Sequence, residues 1–344
     1  MADEVLLTGL KLKDEDAFEE SLRPRRLAEF IGQEKIKENL AVFIKAARQR
    51  EEPLDHALFS GPPGLGKTTL AFIIAAEMRA PIRVVAGPAV DKAGDLAAVL
   101  TNLEEGGILF IDEIHRLPAA VEEILYSAME DYRLDVVIGQ GPAARTMKIT
   151  LPRFTLIGAT TRAGLLSEPL HGRFGILMRM DYYNPANVGR IVERTCRILK
   201  VEVEGEASAE IARRSRGTPR VANRLVRRIR DFAQVDGHHR ITAVQAVDAL
   251  QKMDVDKYGL EEMDRRILQV IIERFKGGPV GLKPLSASLG EDQGTLEDLY
   301  EPFLVQSGFL IRSSRGRIAS EMAYRHLGYT PSPQSAQMTL PPSK

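Results

Sequence analysis

The sequence has little of what disulfide-stabilised and zinc-binding proteins depend on. It contains one cysteine, Cys196, and six histidines among 344 residues. No internal disulfide can therefore form, and no zinc-ligand spacing is present. Lysine and arginine together number 47, as do aspartate and glutamate, so the formal net charge is zero. Any surface for an anionic partner must therefore be local.

Long hydrophobic runs are also missing. No apolar stretch reaches the length of about 20 residues that a membrane-spanning helix needs. The first residues are acidic, including Asp3 and Glu4, and lack the basic start of a secretory signal. With a single cysteine, these features predict a soluble, cytoplasmic protein that does not enter a membrane.

The most informative motif that is present is GPPGLGKT, which runs from Gly61 to Thr68 and fits the phosphate-loop pattern G-x-x-x-x-G-K-[ST]. Glycines such as Gly64 let backbone N–H groups form an anion cradle. Lys67 can reach the β- and γ-phosphates of a nucleotide, and the Thr68 hydroxyl can hold Mg²⁺. A plain glycine turn is the alternative, but the loop has a short apolar strand before it and a helix pattern after it.

Two more predicted strands end in polar side chains. Asp112 and Glu113 follow the apolar run that begins at Gly107, and Thr161 ends the strand that begins at Phe154. Ligands bind at the carboxyl ends of strands in open parallel sheets. We therefore expect Asp112 to serve Mg²⁺, Glu113 to polarise an attacking water, and Thr161 to bond the γ-phosphate or that water. An acidic helix start and an ordinary threonine-rich strand end are the alternatives.

Two arginines outside these strands extend the predicted site. Arg173, in the segment LHGRFG, is a candidate arginine finger for the nucleotide of a neighbouring copy. A surface or interface salt bridge is its alternative. Arg220 follows Gly217-Thr218-Pro219 at a helix start, where a cation opposes the helix dipole, so an anionic ligand would explain it. Most other arginines between 213 and 230 are expected on a solvated helix face.

The chain is predicted to fold in four parts. Strand and helix patterns alternate up to Tyr183, which indicates a doubly wound α/β domain, and Asn184-Pro185 marks its end. The predicted parts are a large α/β domain with an acidic lead (1–183), a small helical domain (184–254), a head domain (257–329) and a disordered Pro/Ser-rich tail (330–344).

Two hairpins are predicted within these parts. Residues 134–149 predict a β-hairpin inserted into the α/β domain, whose apolar side chains would form a partner surface. Two ordinary strands of the main sheet are the alternative. In the head domain, three helices precede a hairpin that carries Arg312, Arg315 and Arg317, which is the order of a winged helix. These arginines would grip phosphates without reading bases, unless the module serves only protein contacts.

These motifs, in this order, resemble those of AAA+ ATPases. The segments LRPR, GPPGLGKTT, IDEIHRL and RGR are similar to the RuvB family of bacterial Holliday-junction branch-migration motors, over about residues 22–327. The resemblance implies a P-loop AAA+ sheet, a helical lid and a winged helix. It implies ATP and Mg²⁺ as cofactors and a homo-hexameric ring on duplex DNA, acting in homologous recombination and recombinational repair. It also implies that RuvA docks on the hairpin near 134–149, and it leaves room for the RuvC resolvase as a further partner.

The resemblance also assigns roles to individual positions. Leu22 and Arg23 match adenine-side contacts, and Tyr183 matches the residue that closes the base pocket. The other matched positions are the phosphate and Mg²⁺ ligands Gly64, Lys67, Thr68 and Thr69, the carboxylates Asp112 and Glu113, the nucleotide-associated stretch Glu130, Asp131 and Tyr132, the sensors Thr161 and Arg220, the finger Arg173, and the DNA contacts Arg312 and Arg317.

Two other interpretations compete with this one. The first is a different AAA+ machine, such as a clamp loader or a protein unfoldase. An unfoldase would need an aromatic–hydrophobic–glycine pore loop, and none occurs between the P-loop and Asp112. The second is a nucleotide-gated DNA-binding switch with negligible turnover. Such a switch needs neither Glu113 nor Arg173, so these two residues discriminate between a switch and a motor.

Overall fold

A computed structural model describes residues 21–138 and 145–331 of the chain. The predicted acidic lead, the tip of the predicted hairpin and the predicted tail from residue 332 lie outside the described residues. The chain divides into two units. The first contains the residues up to Ile191 together with Thr218–Arg220, and the second contains Val192–Gly217 and the residues from Val221 onward.

A five-stranded parallel sheet forms the centre of the first unit. Its strands are β1 (Ala57–Ser60), β2 (Ile82–Ala86), β3 (Ile108–Asp112), β6 (Thr155–Thr160) and β7 (Ile176–Arg179), in the spatial order β2-β3-β6-β1-β7. This confirms the predicted doubly wound α/β class. β6 is buried throughout and β3 at every residue but its last, as expected of strands covered on both faces. Because β6 lies between β3 and β1, the carboxyl ends of these three strands meet at one edge.

Helices alternate along the chain with the strands of this sheet, beginning before β1. They are α1 (Glu34–Arg50), α2 (Lys67–Met78), α3 (Ala93–Thr101), α4 (Ala119–Asp131) and the short α5 (Glu168–His171); α6 (Pro185–Ile198) runs on past the end of the sheet. Leu96 and Leu100 of α3 share a core cluster with Leu125 of α4 and Leu109 of β3. Each such side chain contributes roughly 1.5–3 kcal/mol through its removal from water.

The strands β4 (Arg133–Ile138) and β5 (Arg145–Thr150) pair with each other and form a separate antiparallel sheet. They are therefore not two members of the main sheet, which was the alternative. β4 begins directly after the last turn of α4. Leu134 opposes Ile149 across the pair and is buried in the core of the first unit, while Met147 is exposed.

The second unit begins with helices and ends with a hairpin. Its first part holds α7 (Gly205–Arg214), most of α8 (Pro219–Val235), α9 (Ala243–Lys252) and the parallel pair β8 (Glu202–Val203) and β9 (Arg240–Ile241). Its second part holds α10 (Glu262–Arg274), α11 (Leu282–Leu289), α12 (Gln293–Thr295), α13 (Glu301–Gln306), the antiparallel β10 (Leu310–Ser313) and β11 (Gly316–Ala319), and α14 (Glu321–Leu327). Ile271, Leu304 and Phe309 are central to its core. The helices and the β10–β11 wing confirm the predicted winged helix.

Two details of the second unit differ from the sequence prediction. The pattern of residues 295–306 predicts a single helix, but a π-helical turn, Leu296–Tyr300, separates α12 from α13. Pro302 is the cause that the sequence offers, because it has no N–H for the regular bond to the preceding turn. The pair β8–β9 was not predicted, since two-residue strands are too short to show alternation. Among the described residues no helix is long and apolar enough to cross a membrane.

Candidate nucleotide-binding site

The P-loop connects β1 to α2, as its sequence predicts. Gly61 has φ 140°, and a Cβ there would lie 2.3 Å from the carbonyl oxygen of Met180, so only glycine fits. Gly66 has φ 101° immediately before the first residue of α2. The loop thus brings its backbone to the positive end of α2, where an anion is stabilised.

Lys67 is the first residue of α2 and is only 6% exposed. Its Nζ donates hydrogen bonds of 2.8 Å to the carbonyl oxygens of Gly61 and Pro62. Burial lowers the pKa of Lys67, while the nearby carboxylates of Asp112 and Glu113 act in the opposite direction. The ammonium group is thus held by carbonyl dipoles at the loop, and a phosphate can replace those dipoles.

Thr68 and Asp112 offer oxygen ligands beside the loop. Thr68 Oγ1 lies 3.4 Å from Asp112 Oδ2, and the backbone N–H of Glu113 donates to Asp112 Oδ1 at 3.0 Å. In the described part of the chain no three histidine, cysteine or acidic side chains form a metal cluster. A hydroxyl beside one carboxylate suits Mg²⁺, which keeps several waters and takes its other ligands from phosphates. The residues present therefore fit that ion.

Glu113 lies at the centre of a hydrogen-bonded group formed by the ends of β3 and β6. Thr161 Oγ1 donates to Glu113 Oε2 at 3.1 Å. His115 Nδ1 lies 3.2 Å from the same oxygen and 2.9 Å from Thr160 Oγ1. A lone histidine after an acidic pair is expected to be a local hydrogen-bonding group rather than a metal ligand, and the contacts of His115 agree with that expectation. Glu113 also adopts a left-handed backbone, φ 50°, of the kind that often occurs at functional sites.

Two other predicted residues contact the P-loop from elsewhere in the chain. The Tyr183 hydroxyl donates to the carbonyl oxygen of Leu65 at 3.0 Å, and its burial raises the pKa of the phenol. The backbone N–H of Arg220 lies 3.4 Å from the carbonyl oxygen of Gly64. Both contacts lie within the first unit, so Tyr183 and Arg220 are part of the same site as the loop.

The predicted adenine-side residues lie next to α2. Leu22 is buried. The Arg23 guanidinium lies 5.8 Å from the centre of the Phe72 ring on α2. Thr69 belongs to the first turn of the same helix.

Arg173 lies beside α4 of its own chain. Its Nη2 is 3.0 Å from Glu130 Oε1, and its Nη1 donates to the carbonyl oxygen of Pro169 at 2.7 Å. Its guanidinium carbon lies 4.6 Å from the centre of the Tyr126 ring. Nothing in the sequence marks Tyr126, because one aromatic residue on an amphipathic helix resembles any other core position.

The stretch from Glu130 to Tyr132 spreads over different neighbours. Glu130 pairs with Arg173, and Asp131 lies 3.2 Å from Arg133. Tyr132 packs edge-on against Phe154. Of these contacts among the described residues, the one from Glu130 joins another residue of the predicted site, Arg173.

The three wing arginines do not share one environment. Arg315 is exposed, and the exposed Arg312 pairs with Glu297 at 2.9 Å. Arg317 is only 9% exposed and donates through Nε and Nη2 to Glu301 Oε2, at 2.9 and 2.8 Å. We expected all three to present free guanidinium groups to phosphates. Arg317 differs because β11 turns its side chain toward α13, where a buried carboxylate neutralises it.

Comparison with known proteins agrees with this geometry. Three family models match consecutive parts of the chain: the Holliday junction DNA helicase RuvB P-loop domain over residues 22–180, the RuvB AAA lid domain over 183–256, and the RuvB C-terminal winged helix domain over 257–328.

Solved structures are similar along nearly the whole length. The RuvB Holliday junction branch migration motor of Thermotoga maritima is 50% identical, with a TM-score of 0.84, and the match covers 91% of this chain and 100% of that one. A lysine-to-arginine mutant of the same RuvB is also 50% identical, with a TM-score of 0.85 over 90% of this chain and 99% of that one. Matched by three RuvB models in sequence order, the chain belongs to the RuvB family of AAA+ P-loop ATPases.

Proposed function

We propose that this protein is an ATP-driven motor that moves the branch point of Holliday junctions in homologous recombination and recombinational DNA repair. The observation that carries the proposal is the meeting of Lys67, Asp112 and the Glu113–Thr161 pair at neighbouring strand ends. A site that only stores nucleotide has no need of a carboxylate held for a water. The DNA substrate is inferred from the relatives, because the matched family is a Holliday junction DNA helicase and the Thermotoga protein is a Holliday junction branch migration motor.

Each residue of the strand-end group has a part in hydrolysis. Lys67 binds the β- and γ-phosphates, and Thr68 with Asp112 would hold Mg²⁺, which would supply positive charge beside the phosphates. Glu113 orients a water opposite the γ-phosphate. Thr161 holds the Glu113 carboxylate and senses whether the γ-phosphate is present. Leu22, Arg23 and Tyr183 enclose the base, and Gly64 and Thr69 line the phosphates.

Coupling to DNA needs more than one copy of the chain. Arg173 acts on a neighbour's nucleotide, so the protein works as a ring, which we propose to be a homo-hexamer around duplex DNA. Arg220 reads the nucleotide from within the same chain. Loss of the γ-phosphate then rotates the helical part (184–254) against the large domain (1–183) and moves the head (257–329).

We assign the contacts with partners to two surfaces. The exposed Arg312 and Arg315 bind the DNA backbone, so binding is salt-sensitive and nearly independent of sequence. The hairpin of residues 134–149, with Met147 exposed, docks RuvA. RuvC is a further partner of the assembled complex, and the cytoplasm is its location.

A synthetic four-way junction tests the proposal. We expect the protein, with ATP and Mg²⁺, to convert the junction to two duplexes, and to do so faster when RuvA is present. Glu113→Gln keeps ATP binding and ring assembly but loses most hydrolysis, and with it the conversion. Full turnover by Glu113→Gln would refute the assignment of the water-polarising carboxylate. ATP hydrolysis without junction movement, in the presence of RuvA, would instead favour a different AAA+ machine.

Mixed rings test the trans action of Arg173. Arg173→Ala alone should be inactive, with a loss of about 10³-fold or more in turnover. Mixing it with Lys67→Ala should restore part of the activity, because each variant supplies what the other lacks. If no mixing ratio restored any hydrolysis, Arg173 would not act across subunits.

A further inference from the structure

The guanidinium of Arg173 lies over an aromatic ring and has two polar partners in its own chain. Its carbon lies 4.6 Å from the centre of the Tyr126 ring, a distance within the range of a cation–π contact. One edge faces the carbonyl oxygen of Pro169 and another faces Glu130. The Arg173 side chain is 21% exposed, whereas that of Glu130 is 59% exposed. The mostly buried guanidinium therefore lies against the ring, while the carboxylate partner lies out toward solvent.

The hydroxyl of Tyr126 reaches the segment that carries Arg173. It lies 2.9 Å from Ser167 Oγ. Ser167 donates to Glu122 Oε2 at 2.5 Å and accepts from the N–H of Leu170 as the N-cap of α5. Since the Ser167 proton goes to Glu122, the Tyr126 hydroxyl donates to Ser167. The chain reaches Arg173 two residues after α5 ends, so Tyr126 contacts both the start of this segment and its functional end.

We propose that Tyr126 is a positioning residue for the arginine finger. This inference rests on the trans role of Arg173 proposed above. The aromatic face restricts where the guanidinium can lie without a carboxylate that would compete with phosphate for its N–H donors. Glu130 pairs with the finger in the single chain and gives way to the triphosphate of a neighbouring copy. Arg173 then arrives already oriented, so less side-chain freedom is lost when it binds.

Two substitutions separate the ring from the hydroxyl. Tyr126→Leu removes the ring and should lower kcat for ATP hydrolysis about tenfold, the size of effect expected from one desolvated cation–π contact. KM for ATP should change little, because the variant's own pocket is intact. Tyr126→Phe keeps the ring and should recover most of kcat. Phe43→Leu is the matched control, because Phe43 is a partly exposed aromatic on α1, and its kcat should stay that of the unsubstituted protein.

A double-substitution cycle tests whether Tyr126 acts through Arg173. In the Arg173→Ala background, adding Tyr126→Leu should lower kcat no further, because the group that Tyr126 positions is gone. A further tenfold loss in that background would overturn the inference. Such a loss would show that Tyr126 supports the fold or its own pocket.

Mixed rings distinguish a positioning role from a structural one. If Tyr126 only stabilised the fold of its own chain, mixing variants would not change the turnover per intact pocket. Tyr126→Leu has an intact pocket and a misdirected finger, whereas Lys67→Ala has a correct finger and a disabled pocket. Mixing them should raise the turnover per intact pocket. The recovery measured when Arg173→Ala is mixed with Lys67→Ala is the reference for the size of this increase. A defect that stayed with the Tyr126→Leu pocket at every ratio would also overturn the inference.

The same set of measurements separates the two proposals. If Arg173→Ala kept full activity, the proposal that Arg173 acts on a neighbour's nucleotide would be refuted. If Arg173→Ala were inactive while Tyr126→Leu kept the kcat of the unsubstituted protein, only the proposed role of Tyr126 would be refuted. The trans role of Arg173 would stand.

Discussion

Two buried cations, one in each unit of the chain, are compensated in different ways. Lys67 of the P-loop is 6% exposed and Arg317 of the wing is 9% exposed. Lys67 Nζ donates to the carbonyl oxygens of Gly61 and Pro62. Arg317 donates twice to the carboxylate of Glu301. The first cation is thus bonded to backbone dipoles, and the second to a full opposite charge.

This difference separates a cation arranged for a ligand from one that stabilises the fold. Burial lowers the pKa of Lys67, which means that its surroundings under-compensate the charge. An arriving phosphate supplies the missing compensation. Arg317 already has its compensation, and removal of Glu301 would leave this buried charge with only Glu297, 3.6 Å away. An arginine in a DNA-binding wing is therefore not by its position alone a DNA contact.

The largest expected effect comes from removing the cation that is arranged for a ligand, Lys67. Lys67→Met should reduce ATP hydrolysis by about 10²–10³-fold or more, because a preorganised cation at the phosphates is lost. Thermal unfolding should change little, because the loss of the two hydrogen bonds to Gly61 and Pro62 is offset by removal of a buried charge that its surroundings under-compensate. Steady-state phosphate release and calorimetry measure the two quantities. Near-normal hydrolysis would show that Lys67 does not face the phosphates.

Glu301→Ala should give the opposite pattern in the second unit. Its expected cost is about 3 kcal/mol in the free energy of unfolding, because the buried Arg317 loses both hydrogen bonds to Glu301 and keeps only the longer pair with Glu297, at 3.6 Å. Chemical denaturation measures this loss. The control is the double substitution Glu301→Leu with Arg317→Met, which removes both charges and should recover most of the stability. A loss below about 1 kcal/mol would mean that the pair behaves like an exposed salt bridge.

The buried imidazole of His56 adds a third case to the comparison. Unlike Lys67 and Arg317, it is kept neutral by folding. His56 Nδ1 accepts from the N–H of Leu156, and Nε2 donates to the carbonyl oxygen of Met129. Burial lowers the pKa of His56 below 6.5, although the Met129 carbonyl and Asp55 oppose this shift. Protonation would also break the bond from Leu156.

The pH dependence that follows for His56 has a definite sign. The unfolded chain binds more protons below pH 6.5, so this contribution to stability is complete above that pH and is lost as pH falls toward the folded pKa. Between pH 7 and 5.5, His56→Gln should lose less stability than the unsubstituted protein. Denaturation midpoints at each pH measure this difference. An identical pH profile in the variant would rule out His56 as the group responsible.

The smallest effect concerns an exposed cation of the wing. Arg315→Ala should weaken duplex binding several-fold and reduce the salt slope of log K by about one, without loss of stability. Fluorescence anisotropy at several salt concentrations measures both quantities. Arg228→Ala, on α8, is the control, because Arg228 is exposed and pairs with Asp231. Unchanged affinity in Arg315→Ala would move the DNA surface away from the wing tip.

Much of the fold was predictable because its signals are local. Helix α1 runs over Glu34–Arg50, the span that its pattern predicts, and β1 and β3 follow from apolar runs beside the P-loop and the acidic pair. The π turn before α13 was missed, since a regular periodicity continues through it and only Pro302 marks the break. The candidate site was predictable as a set of residues, but their contacts were not.

The sequence by itself determined the loop that only glycines can form, the ammonium at the start of α2 and the carboxylates after β3, because each depends on a few adjacent residues. Only the tertiary structure decided that Thr161 meets Glu113 across 48 positions, that Tyr126 lies against Arg173, and that Arg317 faces Glu301. Such pairs depend on strand order and on the face that each helix buries. Those arise from packing the whole chain, so no local pattern records which charge a distant residue will meet.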